Sequence, residues 1–238
     1  MVQVHVAQSF GLGCIVRTMY GSVRRTDDTV GRMARRQEVP RETRQTLTRA
    51  DVTTAAIALV ERDGLDALSM RRLASELRCA PMSLYTHVHS RDDLVDAIVG
   101  RLIERLDVAP NEGEPWQDAI RRMLGSYRDL AVQVPRAFEL LALAPYDSSP
   151  VAPHLGVALA GLEASGLEPE QARQILGIVD AYATGFLVVW ARSRTDGRAA
   201  APSDAPASGI ADLRDLETFD RGLEALIAGL DATLVGTR

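Results

Sequence analysis

The side chains best suited to chemistry in this 238-residue chain lie in one short run, PMSLYTHV at 81–88. Ser83, Tyr85, Thr86 and His87 put hydroxyls and an imidazole where a core helix would carry aliphatic residues. Short donors and acceptors on such a helix suit the reading of base edges in a major groove, where each base pair shows its own pattern. Enzyme chemistry finds no comparable foothold. No Ser-His-Asp set, paired-carboxylate site or phosphate-cradling Gly loop stands in a credible context, so no catalytic residue is assigned. The four histidines, His5, His87, His89 and His154, and the cysteines Cys14 and Cys79 show no metal-ligand spacing. No metal and no cofactor is expected.

A helix of this kind must be held by neighbours, and residues 48–106 supply them. Val52, Ala55, Ala56, Leu59 and Val60 recur at helical spacing. Thr48 with Asp51 forms a capping-box pattern at the start of that helix, and Gly64 fits its stop. Ser69 is placed to cap MRRLASEL, with Leu73, Ala74 and Leu77 inward. Arg78-Cys79-Ala80 reads as a tight turn, and Pro81 suits the first position of the helix that follows. Ser90 with Asp93 repeats the capping box and opens a helix over 91–106 carrying Val95, Ile98, Val99, Leu102 and Leu106. Two short helices joined by about three residues and braced on both sides make a helix-turn-helix arrangement.

The run L-S-M-R-R-L-A-S-E-L, followed by M-S-L-Y-T-H-V and S-R-D-D-L, resembles the DNA-binding domain of the TetR family of bacterial transcription regulators. The match covers about sixty residues without a gap. It departs at Arg78, where the family usually has Gly and where a left-handed conformation is costly for Arg. The resemblance implies DNA contacts from Ser69, Met70 and Arg71 at the start of the first short helix. From the second it implies Pro81, Met82, Ser83, Tyr85, Thr86 and His87, and just beyond it Arg91. Arg71 is the strongest of the first group, since a guanidinium fork grips phosphate or guanine. Tyr85 also has a structural reading, as a residue filling the helix-turn-helix core.

Overall charge does not announce such a role, because the formal net charge is −5. Its distribution is more telling. Residues 1–46 hold eight arginines against four acids, and residues 106–238 hold eleven against nineteen. The acid therefore lies away from the helix-turn-helix. Every cation other than histidine is arginine. Two cysteines in unrelated segments imply no disulfide framework and point to a reducing cytoplasm. Cys79 reads as a packing residue of the turn in preference to a redox switch. No apolar run reads as membrane-spanning, and no charged region precedes the N-terminal apolar residues as a signal peptide requires.

The chain divides into an arm at 1–46, the helix-turn-helix domain at 47–106 and a helical domain at 107–238. The arm has no sustained period. It reads as a flexible leader, as a basic arm tracking phosphates or the minor groove, or as a segment before a start at Met33. A breaker-rich linker at 107–115 precedes a helix that ends before Pro135. Next come a short helix at RAFELLALA, a loop, a helix at HLGVALAGLEASG and a long helix from Pro169. From Phe186 to Ala191 that helix is apolar on every side, which calls for burial on both faces. A low-complexity loop spans 193–211, and a last Leu-rich helix covers 212–234. The fold class is all-α: a three-helix helix-turn-helix domain followed by a helical bundle.

From residue 116 onward the pattern is similar to the C-terminal domain of tetracycline-repressor-like regulators, most specifically in FDRGLEALIAGL. That resemblance implies a cytoplasmic repressor that binds a palindromic DNA operator as a homodimer and is released by a small-molecule effector. Trp116, Met123, Tyr127, Phe138, Tyr182 and Phe186 are at once core candidates and candidates for lining a ligand cavity between helices. His154 is a further ligand candidate, or a capping histidine. Leu187, Trp190, Phe219, Leu223 and Leu226 are the expected subunit interface, a four-helix arrangement with two helices from each copy. Two other readings stand beside this one: a constitutive or activating regulator without an effector, and an all-α enzyme using the bundle cavity.

Overall fold

The computed structural model describes residues 47–195 and 215–236. The arm at 1–46, the start at Met33, and residues 196–211 of the expected loop lie outside the described residues. Local signals set the helix starts. Thr48 and Asp51 form both hydrogen bonds of a capping box ahead of α1, Arg49–Asp63. The chain turns at Gly64, whose φ of 87° a side chain would strain. After one 3₁₀ turn, Leu65–Ala67, Ser69 caps α2, Met70–Glu76.

The turn into the next helix is a Schellman motif. Cys79 N–H donates to the Ala74 carbonyl at 3.0 Å and Arg78 N–H to Ser75 at 3.2 Å. It sets Arg78 at φ 51°, the single positive φ outside glycine among the described residues. Pro81 opens α3, Pro81–Leu84, which is shorter than the expected run to Val88. His87 N–H bonds back three residues to Leu84, and the Thr86 hydroxyl bonds the Ser83 carbonyl, so Tyr85 to His87 close as turns. Ser90 then caps α4, Arg91–Ile103, through the Asp93 N–H at 3.0 Å.

The larger domain follows the expected order. It comprises α5, Trp116–Gln133; α6, Pro135–Ala142; α7, Val151–Ala164; and α8, Pro169–Thr195. The last helix, α9, Leu216–Leu230, continues into a π-turn, Asp231–Val235. The described residues include no strand. Residues 193–195, expected in the loop, extend α8 instead. One sequence expectation needs a qualification: α8 is long and apolar enough, at mean hydropathy 1.5, to cross a membrane by length and composition. Here it is the central helix of the bundle, packed against α5, α6, α7 and α9.

One continuous core runs through both parts. Val52, Leu59, Leu73, Leu84, Leu94 and Ile98 fill the helix-turn-helix. Ile120, Phe138, Leu162, Ile175, Leu187 and Phe219 fill the bundle. Helix α6 lies against both α1 and α4, and so joins the two parts.

Candidate nucleic-acid interface and bundle cavity

Leu84 and Val88 are fully buried and anchor the 81–88 segment, which leaves its polar residues outward. Pro81, Met82, Ser83, Tyr85 and Thr86 are exposed, Met82 at 74% and Tyr85 at 43%. At 43%, Tyr85 is not core filling. His87 is half-buried, while Ser69, Arg71 and Arg91 are exposed and Met70 is half-buried. The residues named from sequence thus gather around one short helix and the starts of its two neighbours.

An ionic clamp fixes this unit. Arg49 reaches from α1 to the His87 carbonyl at 2.7 Å and to Asp93 Oδ1 at 2.5 Å. The Asp93 carboxylate also accepts the His89 N–H at 2.7 Å. The Arg49 hydrogen bond, followed by the His89 N–H, holds the Asp93 carboxyl well below the usual carboxylate range. Arg62 and Arg72 are similarly committed, to Glu76 and Asp63. Arg71 and Arg78 form no ion pair among the described residues, and Arg91 meets only the Leu68 carbonyl, at 3.5 Å. Those three guanidinium groups, among the described residues around this helix, are left without a carboxylate partner. The sequence signal for the clamp was present but disguised, because Asp93 reads first as a capping residue.

The second site is a cavity of about 80 Å³, open to solvent at its mouth, between α5, α6, α7 and α8. Its walls are mainly apolar: Leu124, Leu141, Val151, Ala158 and Leu176, together with Leu106 and Val108 from the chain leaving α4. Polar groups gather on one side. Asp180 and Thr184, one turn apart on α8, face the cavity with Tyr127 and Tyr146. The Tyr127 and Thr184 hydroxyls are 3.2 Å apart, and the Tyr146 hydroxyl donates to Asp180. That bond, with burial, pushes the Tyr146 hydroxyl up to about 12. Burial pushes Tyr127 up as well and pulls half-buried His154 down, favouring its neutral form.

Of the residues named for a ligand, Met123, Tyr127 and His154 line this space. Trp116, Phe138, Tyr182 and Phe186 do not. Phe138 is fully buried behind Tyr127, with ring centroids 4.7 Å apart. Tyr182 sits two positions from both Asp180 and Thr184, and Phe186 two positions from Thr184, a spacing that is nearly opposite on a helix of 3.6 residues per turn. They turn toward α9, where Tyr182 stacks on Phe219 at 5.5 Å. Asp180, Thr184 and Tyr146 were missed. The available signal was a lone carboxylate inside the apolar run ILGIVDAYATGFLVVW.

The expected interface residues are likewise placed differently. Leu187, Trp190, Phe219 and Leu223 are buried within the protomer, and Leu226 is half-buried. Their stripes pack α8 and α9 into the same subunit. The small and apolar residues that α8 leaves outside are Gly177, Ile178, Ala181, Gly185 and Val189, and α9 leaves Ala225, Ala228 and Gly229. Among the described residues no group of three His, Cys, Asp or Glu side chains is arranged to hold a metal ion.

Residues 52–98 match the family model of bacterial regulatory proteins, tetR family. An HTH-type transcriptional regulator of Saccharopolyspora erythraea is 29% identical over 213 residues, covering 83% of this chain and 90% of that one. The class G tetracycline repressor protein of Vibrio anguillarum is 27% identical over 201 residues, with 78% and 94% covered. Among solved structures, the TetR family protein ActR of Streptomyces coelicolor in complex with actinorhodin superposes with a TM-score of 0.61 at 26% identity, covering 78% of this chain and 97% of that one. The relatives are transcriptional regulators, and the enzyme reading falls with them. Family model, relatives and fold agree in one direction: residues 52–98 match the tetR family of bacterial regulatory proteins, and the chain as a whole is similar to TetR-family DNA-binding transcription regulators.

Proposed function

We propose that this chain is an effector-responsive repressor, which binds a near-palindromic operator as a homodimer in the cytoplasm and is released by a small molecule held in the bundle cavity. In the DNA-bound state Ser83, Tyr85, Thr86 and His87 meet base edges and phosphates, with Pro81 and Met82 giving apolar contact. Ser69, Met70, Arg71 and Arg91 flank them on the backbone. Two copies present these surfaces to successive major grooves, about 34 Å apart.

The observation that carries the effector reading is what the cavity walls are attached to. Leu106 and Val108, at the exit of α4, line it directly. So do Leu141 and Ala142 of α6, whose first turn is bonded to α1. There the Ala137 N–H donates to Glu61 at 2.6 Å, and the Arg136 guanidinium donates to the Glu61 carbonyl. A molecule that widens the cavity by displacing α6 or the exit of α4 moves the helix-turn-helix with it. Its effect is a population shift whose size equals its difference in affinity for the two states.

The exposed faces of α8 and α9 support the dimer reading. Gly177, Gly185 and Gly229 have nothing within 4 Å of a would-be side chain in the protomer, which suits close approach by a second copy. The test joins two measurements on the full-length protein. Genomic fragments retained by it are identified, and a small-molecule collection is screened by thermal shift. A compound that raises Tm and releases the retained fragment supports the repressor. Fragments that stay bound under every stabilising compound favour the constitutive regulator.

A further inference from the structure

We propose that the cavity selects a hydrophobic organic cation: an amine protonated at neutral pH on a mainly apolar ring body, with its ammonium group against Asp180. The inference rests on the cavity being the effector site. Among the described residues that line it, Asp180 is the one carboxylate, and no arginine lines it. Asp180 forms no ion pair among the described residues. Its Oδ2 accepts the Tyr146 hydroxyl, and its Oδ1 has no partner among them.

His154 does not balance that charge, since burial favours its neutral imidazole. An anionic ligand would lose its hydration beside an unneutralised carboxylate and gain no counter-charge. A cation replaces lost water with a charge-assisted hydrogen bond to Asp180. The rings of Tyr127 and Tyr146 flank the same wall, and aromatic faces attract cations. Leu124, Leu141, Ala158 and Leu176 line the same cavity and accept an apolar body.

Three probes on one ring body separate charge from shape: 1-naphthylmethylamine and its isostere 1-naphthalenemethanol, with 1-naphthoic acid as the anion of similar size. Each is titrated calorimetrically at pH 7.4 into the full-length protein and into Asp180→Asn and Leu155→Trp, with thermal melts confirming that every variant is folded. The amine is expected to bind at least about tenfold tighter than the alcohol, or about 1.4 kcal/mol, and the acid more weakly than the alcohol. Asp180→Asn, which still accepts the Tyr146 hydroxyl, should erase the amine's advantage and leave the alcohol unchanged. Leu155→Trp fills the cavity and should weaken all three. An acid that binds as well as the amine, or an amine advantage that survives Asp180→Asn, overturns the cation inference. If the alcohol still binds and remains sensitive to Leu155→Trp, the cavity reading stands without it. If no probe binds the folded wild type, both fall.

Discussion

Replacing Arg78 with glycine should stabilise the protein. Arg78 holds φ 51° at the end of α2, a conformation that costs an L-residue about 1–2 kcal/mol. Glycine removes that cost but adds about 0.5–1 kcal/mol of unfolded-chain entropy. The side chain is exposed and forms no ion pair among the described residues, so its loss forfeits little in the fold. The two backbone bonds of the turn need no side chain and persist. The net gain is about 0.5–1 kcal/mol, or a rise in Tm of about 1–4 °C for a domain of this size. Arg78→Ala, which keeps the strain, is the control and should be near neutral. Urea denaturation of the three proteins gives the comparison, with equal m-values required. A glycine variant no more stable than the alanine variant would refute the argument that this turn is strained. Salt titration of DNA binding adds a second readout: if Arg78 also meets a phosphate, the slope of log K against log salt falls by about 0.9.

Three further outcomes follow from particular contacts. A Cβ on Gly222 would lie 2.1 Å from the Tyr182 hydroxyl, which donates to the Phe219 carbonyl at 2.9 Å. Gly222→Ala should therefore cost about 1–3 kcal/mol in a thermal melt, and an unchanged Tm would contradict that packing. Ile178 is 42% exposed in the protomer and Leu187 fully buried. Sedimentation should find Ile178→Glu folded and monomeric, whereas Leu187→Glu should fail to fold because it buries an unpaired charge. Dimers of Ile178→Glu would move the interface elsewhere. His154 has its proton affinity lowered by burial, so the unfolded chain takes up its proton first as pH falls. Stability should then be full above about pH 6.5 and decline below it, and His154→Leu should flatten that decline in pH-dependent melts.

Sequence alone was most informative where local rules act. Capping at Thr48, Ser69 and Ser90, the stop at Gly64 and the start at Pro81 depend on neighbours a few residues away, and each was readable. The exposure of Ser83, Tyr85 and Thr86 was legible for the same reason, because polar residues stood where a core helix needs aliphatic ones. The cavity was not. Which side of α8 meets α9 and which meets α7 depends on tertiary packing, and both faces carry large or apolar side chains. Selecting aromatics by size drew in Tyr182 and Phe186 and passed over Asp180. The interface suffered similarly: Leu187 and Phe219 were singled out because they are apolar, yet the protomer itself buries them. The smaller residues left outside, such as Ala181 and Gly185, carry little hydrophobic signal.

The most direct test of the central account is an anisotropy titration of the full-length protein on a retained genomic fragment against a scrambled duplex, repeated with Arg71→Ala and Tyr85→Ala. Both side chains are exposed and neither anchors the core, so circular dichroism should be unchanged in each variant. Each lost base or phosphate contact should cost about 1–3 kcal/mol, at least roughly fivefold in affinity. Preference for the genomic fragment should shrink in Tyr85→Ala. Wild-type binding that does not distinguish the two duplexes, or unchanged affinity in both variants, would contradict a regulator that reads DNA through this helix.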